Sequence, residues 1–555
     1  MKKVLFLLLF LPLFCTAQLK EIAEGPGFEE PESGFGKIIL MKSGNTVFLH
    51  ITLKDGINIR IYNPKHQQIV SKNLKPAYGN LKRSKVEGVY DINGTITAFI
   101  SELDEKRPTL YKLRIDGETG NLIDEVTIGM LDKISLAQGY AVAFGGVPIP
   151  DFLVRKDPAS DNYGLIKYNT FETDNTKRVE LIQYAPDGSE AQKTYLSSPG
   201  GKYKYTQILD FVLVGNVSYA LLYSYNTAKS GGAGNELLFA TIKDGHVTYT
   251  NVGKSIAKRI NEGILRYNPQ TGNFIFLTLE MTTTEQKAFS NKRTTYYAIN
   301  LNVINGNDHS NMNSIDALPS TASRKYNKIF KEDNGYNGMP QQLYINNDGS
   351  ISILFEEIAL QTTSSGPGYG FGGGFGPTFR QTASSELLGT AAIVTLNENG
   401  QEGSTELIPK SYKLFYAWYE KVNQNMYLGS NTIAERDNGA TPLSGGNQFK
   451  KIAYLDGKSK SYILLNDVEE NEDRIQKGKL TTIQSVGDCQ AYIYDLANAT
   501  TIAKPILPRK LAFTKTGNKE RNLAIFAISD FDRETGTFAT LKFDKKNVKV
   551  VWMQE

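Results

Sequence analysis

Gly215-Asn216-Val217-Ser-Tyr-Ala-Leu-Leu-Tyr-Ser-Tyr225, followed by Leu238-Phe-Ala-Thr-Ile-Lys-Asp244-Gly245, is the stretch whose reading decides the fold. Each run is short, apolar and aromatic. Each is bounded by a Gly-Asn or Asp-Gly pair, residues that take up the backbone angles of a tight hairpin turn at little cost. The order is turn, strand, loop, strand, Asp-Gly turn, strand.

The same unit recurs outward in both directions. Tyr111-Lys-Leu-Arg-Ile-Asp116-Gly117 and Leu181-Ile-Gln-Tyr-Ala-Pro-Asp187-Gly188 precede it. Runs ending in Asn305-Gly306, Asn399-Gly400 and Asp456-Gly457 follow it, and looser copies end in Asn63-Pro64 and Asp544. A second strand starts upstream of most copies from its own turn, at Asn93-Gly94, Gly272-Asn273 and Asp348-Gly349. Four antiparallel strands repeating at roughly 50 to 70 residues make the blade of a β-propeller. The fold class is therefore all-β, a single propeller of seven or eight four-stranded blades. The intervals Asn305 to Asn399 and Asp456 to Asp544 are long, which leaves the blade number open. The propeller is expected over 37–555, after an N-terminal extension at 18–36. Closure of the ring is expected from Lys37 to Met41 pairing with Val548 to Met553, with Val548, Val550 and Trp552 on one face. Two separate all-β domains are the rival architecture, disfavoured because no Pro- or Ser-rich linker divides the chain. Helical periodicity is nearly absent, and Asn466 to Lys477 is polar enough for a short helix at most.

Composition agrees with a folded chain. The 555 residues are 40% hydrophobic and 22% charged, which excludes a disordered chain, a coiled coil and a polytopic membrane protein. Thirty Tyr and 27 Phe against two Trp suit pleated sheet. Lys+Arg 62 minus Asp+Glu 58 gives +4, two of which are Lys2 and Lys3. Such a balance makes no basic stripe, and Lys82, Arg83 and Lys85 read as a solvated loop, so nucleic acid is not an expected partner.

The N-terminus reads as a signal peptide over 1–17: Lys2-Lys3, an apolar run from Val4 to Phe14, then Cys15-Thr16-Ala17 before Gln18. Lipidation of Cys15 would need a small residue where Phe14 stands. No later run reaches the length of a membrane helix, so no transmembrane segment is expected. After cleavage only Cys489 remains, without a visible histidine partner among His50, His66, His246 and His309, and a packed thiol is the expectation.

One segment breaks the pattern. Residues 362–385 read TTSSGPGYGFGGGFGPTFRQTASS, an insert between two strands that carries Tyr369, Phe371, Phe375 and Phe379 on a glycine background. Glycine gives such a tip no core of its own, and its aromatics are candidates for contact with a partner.

Signatures of zinc proteases, serine hydrolases and nucleotide-binding loops are absent from the sequence, and no cofactor is expected. Two weak acidic signals remain. Asp530, Asp532 and Glu534 are spaced like the start of a calcium loop, but Gly536 falls one place late and no downstream Glu completes it. Glu356 and Glu357 interrupt an apolar strand and, as neighbours, point to opposite faces, so one of them is a candidate for the central channel and for general-acid chemistry.

The signal ending Thr16-Ala17-Gln18, the strand Ser352-Ile-Leu-Phe-Glu-Glu357 and the Gly/aromatic tip before Ile393-Val-Thr-Leu396 resemble uncharacterised exported β-propeller-like proteins of Bacteroidota-type Gram-negative bacteria. That resemblance implies fold and envelope location, and carries no catalytic residue over. The chain ends in a propeller strand and not in a sorting domain, so the periplasm or the outer membrane is the expected location. The expected function is a non-enzymatic binding or scaffold protein contacting a protein or glycan of the cell envelope. The alternative is a carbohydrate-active hydrolase or lyase using a channel-facing carboxylate.

Overall fold

The computed structural model describes residues 19–555 except 32, 53–55, 78–83, 146, 228–233, 254–258, 283–295, 317–318, 334, 363–383, 416–439, 444–445, 459, 497–506, 514–521 and 545–546. The signal-peptide reading lies outside these residues.

Hairpin after hairpin, the short apolar runs pair with their sequence neighbours, and among the described residues they make eight sheets. Blade 1 is Gly34–Leu40, Thr46–Thr52, Gly56–Tyr62 and Gln68–Leu74, and blade 2 is Ser84–Ile92, Thr95–Asp104, Arg107–Asp116 and Leu122–Met130. Blades 3, 4 and 5 begin at Asp151–Lys156, Tyr205–Val214 and Arg259–Tyr267, blade 6 at Gly338–Ile345 and blade 7 at Ala453–Asp456. First strands of successive blades lie against one another around the axis, and apolar clusters fill the spaces between blades. The protein is a β-propeller, and of the two expected blade numbers the structure has eight.

Blade 8 joins the ends of the chain. Leu523–Asp532, Thr537–Asp544 and Asn547–Gln554 supply three strands, and Lys20–Glu24 supplies the outermost one. Ala23 pairs with Trp552 and Glu24 with Val551, while Phe28 pairs with Val548 just beyond. This corrects the expected partner. Lys37 to Met41 falls in and just after the axial strand of blade 1, and the closing strand comes from the stretch read as an N-terminal extension. The physical reason is position in the blade: an outermost strand needs backbone pairing more than an apolar face, and Lys20–Glu24 alternates between exposed and half-buried residues.

The last strand packs on both faces as its alternation requires. Val548, Val550 and Trp552 join a cluster with Phe48 and Tyr62 of blade 1, and Val551 and Met553 join one with Tyr462 and Leu464 of blade 7. The Trp552 indole donates to the Thr46 hydroxyl at 2.8 Å and meets Tyr62 edge-on at 5.1 Å. Lys542 pairs with Glu21 and Glu24, and Lys549 with Glu24 at 3.1 Å. Two glycines are dictated here by space: a Cβ on Gly36 would stand 2.3 Å from the Ile528 methyl of blade 8, and Gly34, at φ +89°, would press one into the Ile51 carbonyl.

All the tight turns between first and second strands and between third and fourth strands fall on one face. Asp456-Gly457 is a turn of the first kind, between Ala453–Asp456 and Ser461–Asp467, so it does not continue the third-strand series to which its sequence assigns it. Asp544 ends the second strand of blade 8, because the fourth comes from the N-terminus. The short helix expected near Asn466 is Asn471–Gln476, whereas Ser320–Phe330, between blades 5 and 6, is a helix the β-dominated reading passes over. Its Ala322 and Ile329 are buried and set the side that packs.

Truncating Trp552 to Ala removes a fully buried indole and leaves Thr46 without its donor. The expected loss is about 3–5 kcal/mol, measured as a shift of the denaturation midpoint. A chain ending at Lys545 loses the closing strand altogether and should aggregate or melt far below the full chain.

Candidate functional site

The axial strands carry charge, and that charge ties blades together. Arg155 of blade 3 donates to Asp210 of blade 4 at 3.1 Å, and Arg266 of blade 5 reaches the other Asp210 oxygen at 3.4 Å. Arg266 continues to the Leu343 carbonyl of blade 6. Lys85 of blade 2 bridges its neighbour Glu87 and Asp151 of blade 3. Three of these strands share an Asp-Phe pair: Asp151-Phe152, Asp210-Phe211 and Asp530-Phe531. In the latter two, one carboxylate oxygen accepts the next residue's own amide and the other accepts an axial amide of the following blade, Leu265 for Asp210 and Leu40 for Asp530. The repeated dipeptide is legible in the sequence, and it is the signal that would have located these links.

The calcium reading meets this arrangement directly. Asp530 faces blade 1, with burial raising its carboxyl and Lys37 opposing, while Asp532 accepts the Glu534 amide and the Thr535 hydroxyl in its own turn. These side chains serve different purposes and do not converge. Among the described residues no group of three His, Cys, Asp or Glu side chains has metal-ligand geometry.

Glu356 and Glu357 lie on the second strand of blade 6, Ile351–Thr362, one strand removed from the axis and opposite Met339 and Gly338. They do point apart. Glu356 turns toward blade 7 and forms an ion pair with Lys410, which is wholly buried and also stands 4.6 Å over the Tyr412 ring. Glu357 turns toward helix Ser320–Phe330, accepts the Thr390 amide at 3.1 Å and is also bonded by the Asn337 amide and the Tyr326 side chain. Burial pushes its carboxyl up to about 7 against those donors. Nothing in the sequence marked Lys410 as the partner, because 54 residues separate the pair.

Beyond these carboxylates the same strand becomes a ribbon. Pairing with the blade's first strand stops at Gly338–Glu357, yet pairing with Ser384–Leu396 runs on through five more pairs, from Ile358–Leu388 to Thr362–Ser384. A third strand, Tyr412–Phe415, lies along Ser385 to Leu388 and is stitched to Ile483 by hydrogen bonds on both sides. The connection then adds Thr441–Leu443 to the axial edge of blade 1 and the buried turn Asn447–Lys450, whose Lys450 ammonium donates to the Lys413 carbonyl at 2.6 Å. Leu388, Tyr412, Leu414, Leu443 and Phe449 share one core cluster with Ile38 of blade 1 and Ile525 of blade 8. The base of the ribbon is therefore built into the core near the axis. Cys489 lies in the same cluster, its thiol pushed by burial up to about 12, as a packed thiol and not a nucleophile. The aromatics Tyr369, Phe371, Phe375 and Phe379 lie outside the described residues.

No family model matches the sequence, and no curated protein matches it. Solved structures with a similar arrangement include the polysaccharide lyase Uly1, at 8% identity and TM-score 0.36 over 97% of this chain and 99% of that one. The WD40 domain of SCAP from fission yeast is 7% identical, with TM-score 0.35 over 97% of both chains. A protein of unknown function from Bacteroides caccae is 10% identical, with TM-score 0.25 over 52% of this chain and 83% of that one.

Two predictions follow from the carboxylates. Lys410→Met leaves Glu356 buried without its counter-charge and should cost about 3–5 kcal/mol, most of it recovered when Glu356→Leu is added; denaturant midpoints of the three proteins check this. Glu357 has a folded pKa above its ordinary value, so the folded state binds the extra proton and stability falls as pH rises from about 4.5 to 7. Glu357→Gln removes that contribution. Its melting temperature relative to wild type should rise between pH 5 and 7 and hold steady above.

Proposed function

We propose that this protein is a non-enzymatic binding or scaffold protein of the bacterial cell envelope, which contacts a protein or glycan through the Gly/aromatic segment at 362–385. The observation that carries the reading is the ribbon. Five strand pairs beyond the blade, with a base anchored in the main core cluster, give that segment a rigid mount on an otherwise repetitive frame. Aromatic residues are enriched at interfaces, and a rigid mount lowers the ordering cost of binding. Among the axial carboxylates, Glu87 and Asp151 share Lys85, Asp210 is held by Arg155 and Arg266, and Asp530 accepts the Leu40 amide, which argues against these four forming an acid pair at the axis. Export and residence in the periplasm or at the outer membrane rest on the leader-like residues 1–17.

The second reading, a carbohydrate-active hydrolase or lyase, is favoured by one observation: burial raises the Glu357 carboxyl to about 7, the range that suits a general acid near neutral pH. A single comparison separates the two. Replacing 363–383 by a short Gly-Ser turn should leave the melting temperature nearly unchanged and abolish capture of partners from envelope extracts. Identical partners with and without the segment would remove its role. Turnover in a polysaccharide screen that disappears in Glu357→Gln would install the second reading instead.

A further inference from the structure

The face that blade 2 turns to blade 3 changes character along its length. Phe99 and Leu110 join Phe152, Val154 and Leu165 in an apolar cluster. Toward the turn face the third strand continues with Lys112, opposite Phe99, and Arg114, opposite Thr97. Corresponding third strands fill their interblade spaces with apolar side chains, Ile57, Ile59 and Ile61 in blade 1 and Leu237 and Phe239 in blade 4. The propeller architecture therefore does not ask for two cations here.

They border a cavity of about 210 Å³, walled by Thr97, Lys112, Arg114 and Tyr163 and roofed by the turn 186–188. Arg114 is already committed, its Nε lying 2.8 and 3.0 Å from the two Asp124 oxygens. Lys112 is not. It is only 9% exposed, it has no carboxylate at ion-pair distance among the described residues, and its hydrogen-bond partner there is the Tyr163 hydroxyl at 3.4 Å. Burial lowers its pKa, Arg114 adds to that, and Asp124 opposes. A buried ammonium held by one neutral hydroxyl is costly, and that cost is relieved when an anion arrives. Gly188 keeps the way open: at φ +86°, a Cβ there would lie 3.0 Å from the ammonium and 3.7 Å from the Tyr163 oxygen.

We propose that this cavity, whose lining also presents the polar side chains of Asn93 and Thr95, binds a single carboxylate carried on a small polyhydroxylated body, either a free sugar acid or the terminal residue of an acidic glycan, with Lys112 as its counter-ion and the Tyr163 and Thr97 hydroxyls beside it. Charge favours a monoanion over a dianion. Arg114 and Asp124 cancel, Lys112 supplies the one enclosed positive charge, and Asp187, exposed on the turn and already accepting from Ser189, would repel a second negative charge. Volume selects a small body, since about 210 Å³ is below the usual range of small-molecule sites. The site is separate from the ribbon and does not depend on its role.

Calorimetric titration of the full-length protein tests this with glucuronate, glucose, a uronic-acid trisaccharide and inorganic phosphate. Glucuronate should bind saturably and glucose should not. Lys112→Met and Lys112→Gln should weaken glucuronate at least about tenfold, while the ligand-free Lys112→Met protein melts at or above the wild-type temperature. Tighter binding of the trisaccharide points to a glycan end, and equal binding to a free acid. The proposal is overturned if glucuronate fails to saturate, if phosphate binds more tightly, if both Lys112 variants bind normally, or if Lys112→Met lowers the melting temperature.

Discussion

One strand holds the architecture together. Asn547–Gln554 lies between Thr537–Asp544 and Lys20–Glu24, so the last blade is complete only when both ends of the chain are in place. A propeller without that pairing exposes a sheet edge and opens the space between blades 8 and 1. The side chains confirm how much rests there. Both faces of the strand are buried, Trp552 is bound to Thr46 across the interface, and the axial Gly36 allows Ile528 of blade 8 to close in on blade 1. Closure links residues more than 500 apart in sequence, and its loop-closure entropy is met by dense burial.

A ring so closed brings eight axial strands together, and their backbones and charges have to be satisfied. The solution is a relay of side chains from blade to blade: Lys85 to Asp151, Arg155 to Asp210 to Arg266, Asp530 to the Leu40 amide. Buried charge tolerated in this way gives specificity of arrangement more than net stability. The connection from blade 6 to blade 7 then runs over the core near the axis and adds a short strand to the axial edge of blade 1. The features that depart from the repeat are the ribbon of blade 6, rooted in the core near the axis, and the cavity between blades 2 and 3.

The hairpin turns are readable in the sequence because Asn-Gly and Asp-Gly pairs mark them: Asn93-Gly94 and Asp244-Gly245 hold both residues at positive φ, while Gly117, Gly306 and Gly457 follow turn-forming Asp or Asn without it. The final strand was readable too, since Val548, Val550 and Trp552 alternate against Val551 and Met553 as its two burial clusters require. Lys20–Glu24 was not, because an outermost strand has no apolar face to betray it. Asp456-Gly457 misled for a related reason: the same dipeptide closes both kinds of turn on that face, so chemistry alone does not give its place in the blade. Glu356 and Glu357 were singled out correctly as carboxylates inside a strand, yet their second-strand position and the Lys410 partner depend on pairings far apart in sequence. Lys112 is not legible as a site residue in the sequence. In a strand reading Tyr-Lys-Leu-Arg-Ile, a lysine looks like an ordinary outward residue until the neighbouring blade is set against it.

Amide hydrogen exchange, followed peptide by peptide in the full-length protein, tests ring closure most directly. If Lys20–Glu24 is the outer strand of blade 8, those of its amides that face Asn547–Gln554 should exchange together with the amides of that strand, and as slowly as the second strand of blade 4, Val217–Tyr225, because they open only when the ring does. Exchange of Lys20–Glu24 on the timescale of exposed loops, with Asn547–Gln554 still protected, would contradict closure across the termini.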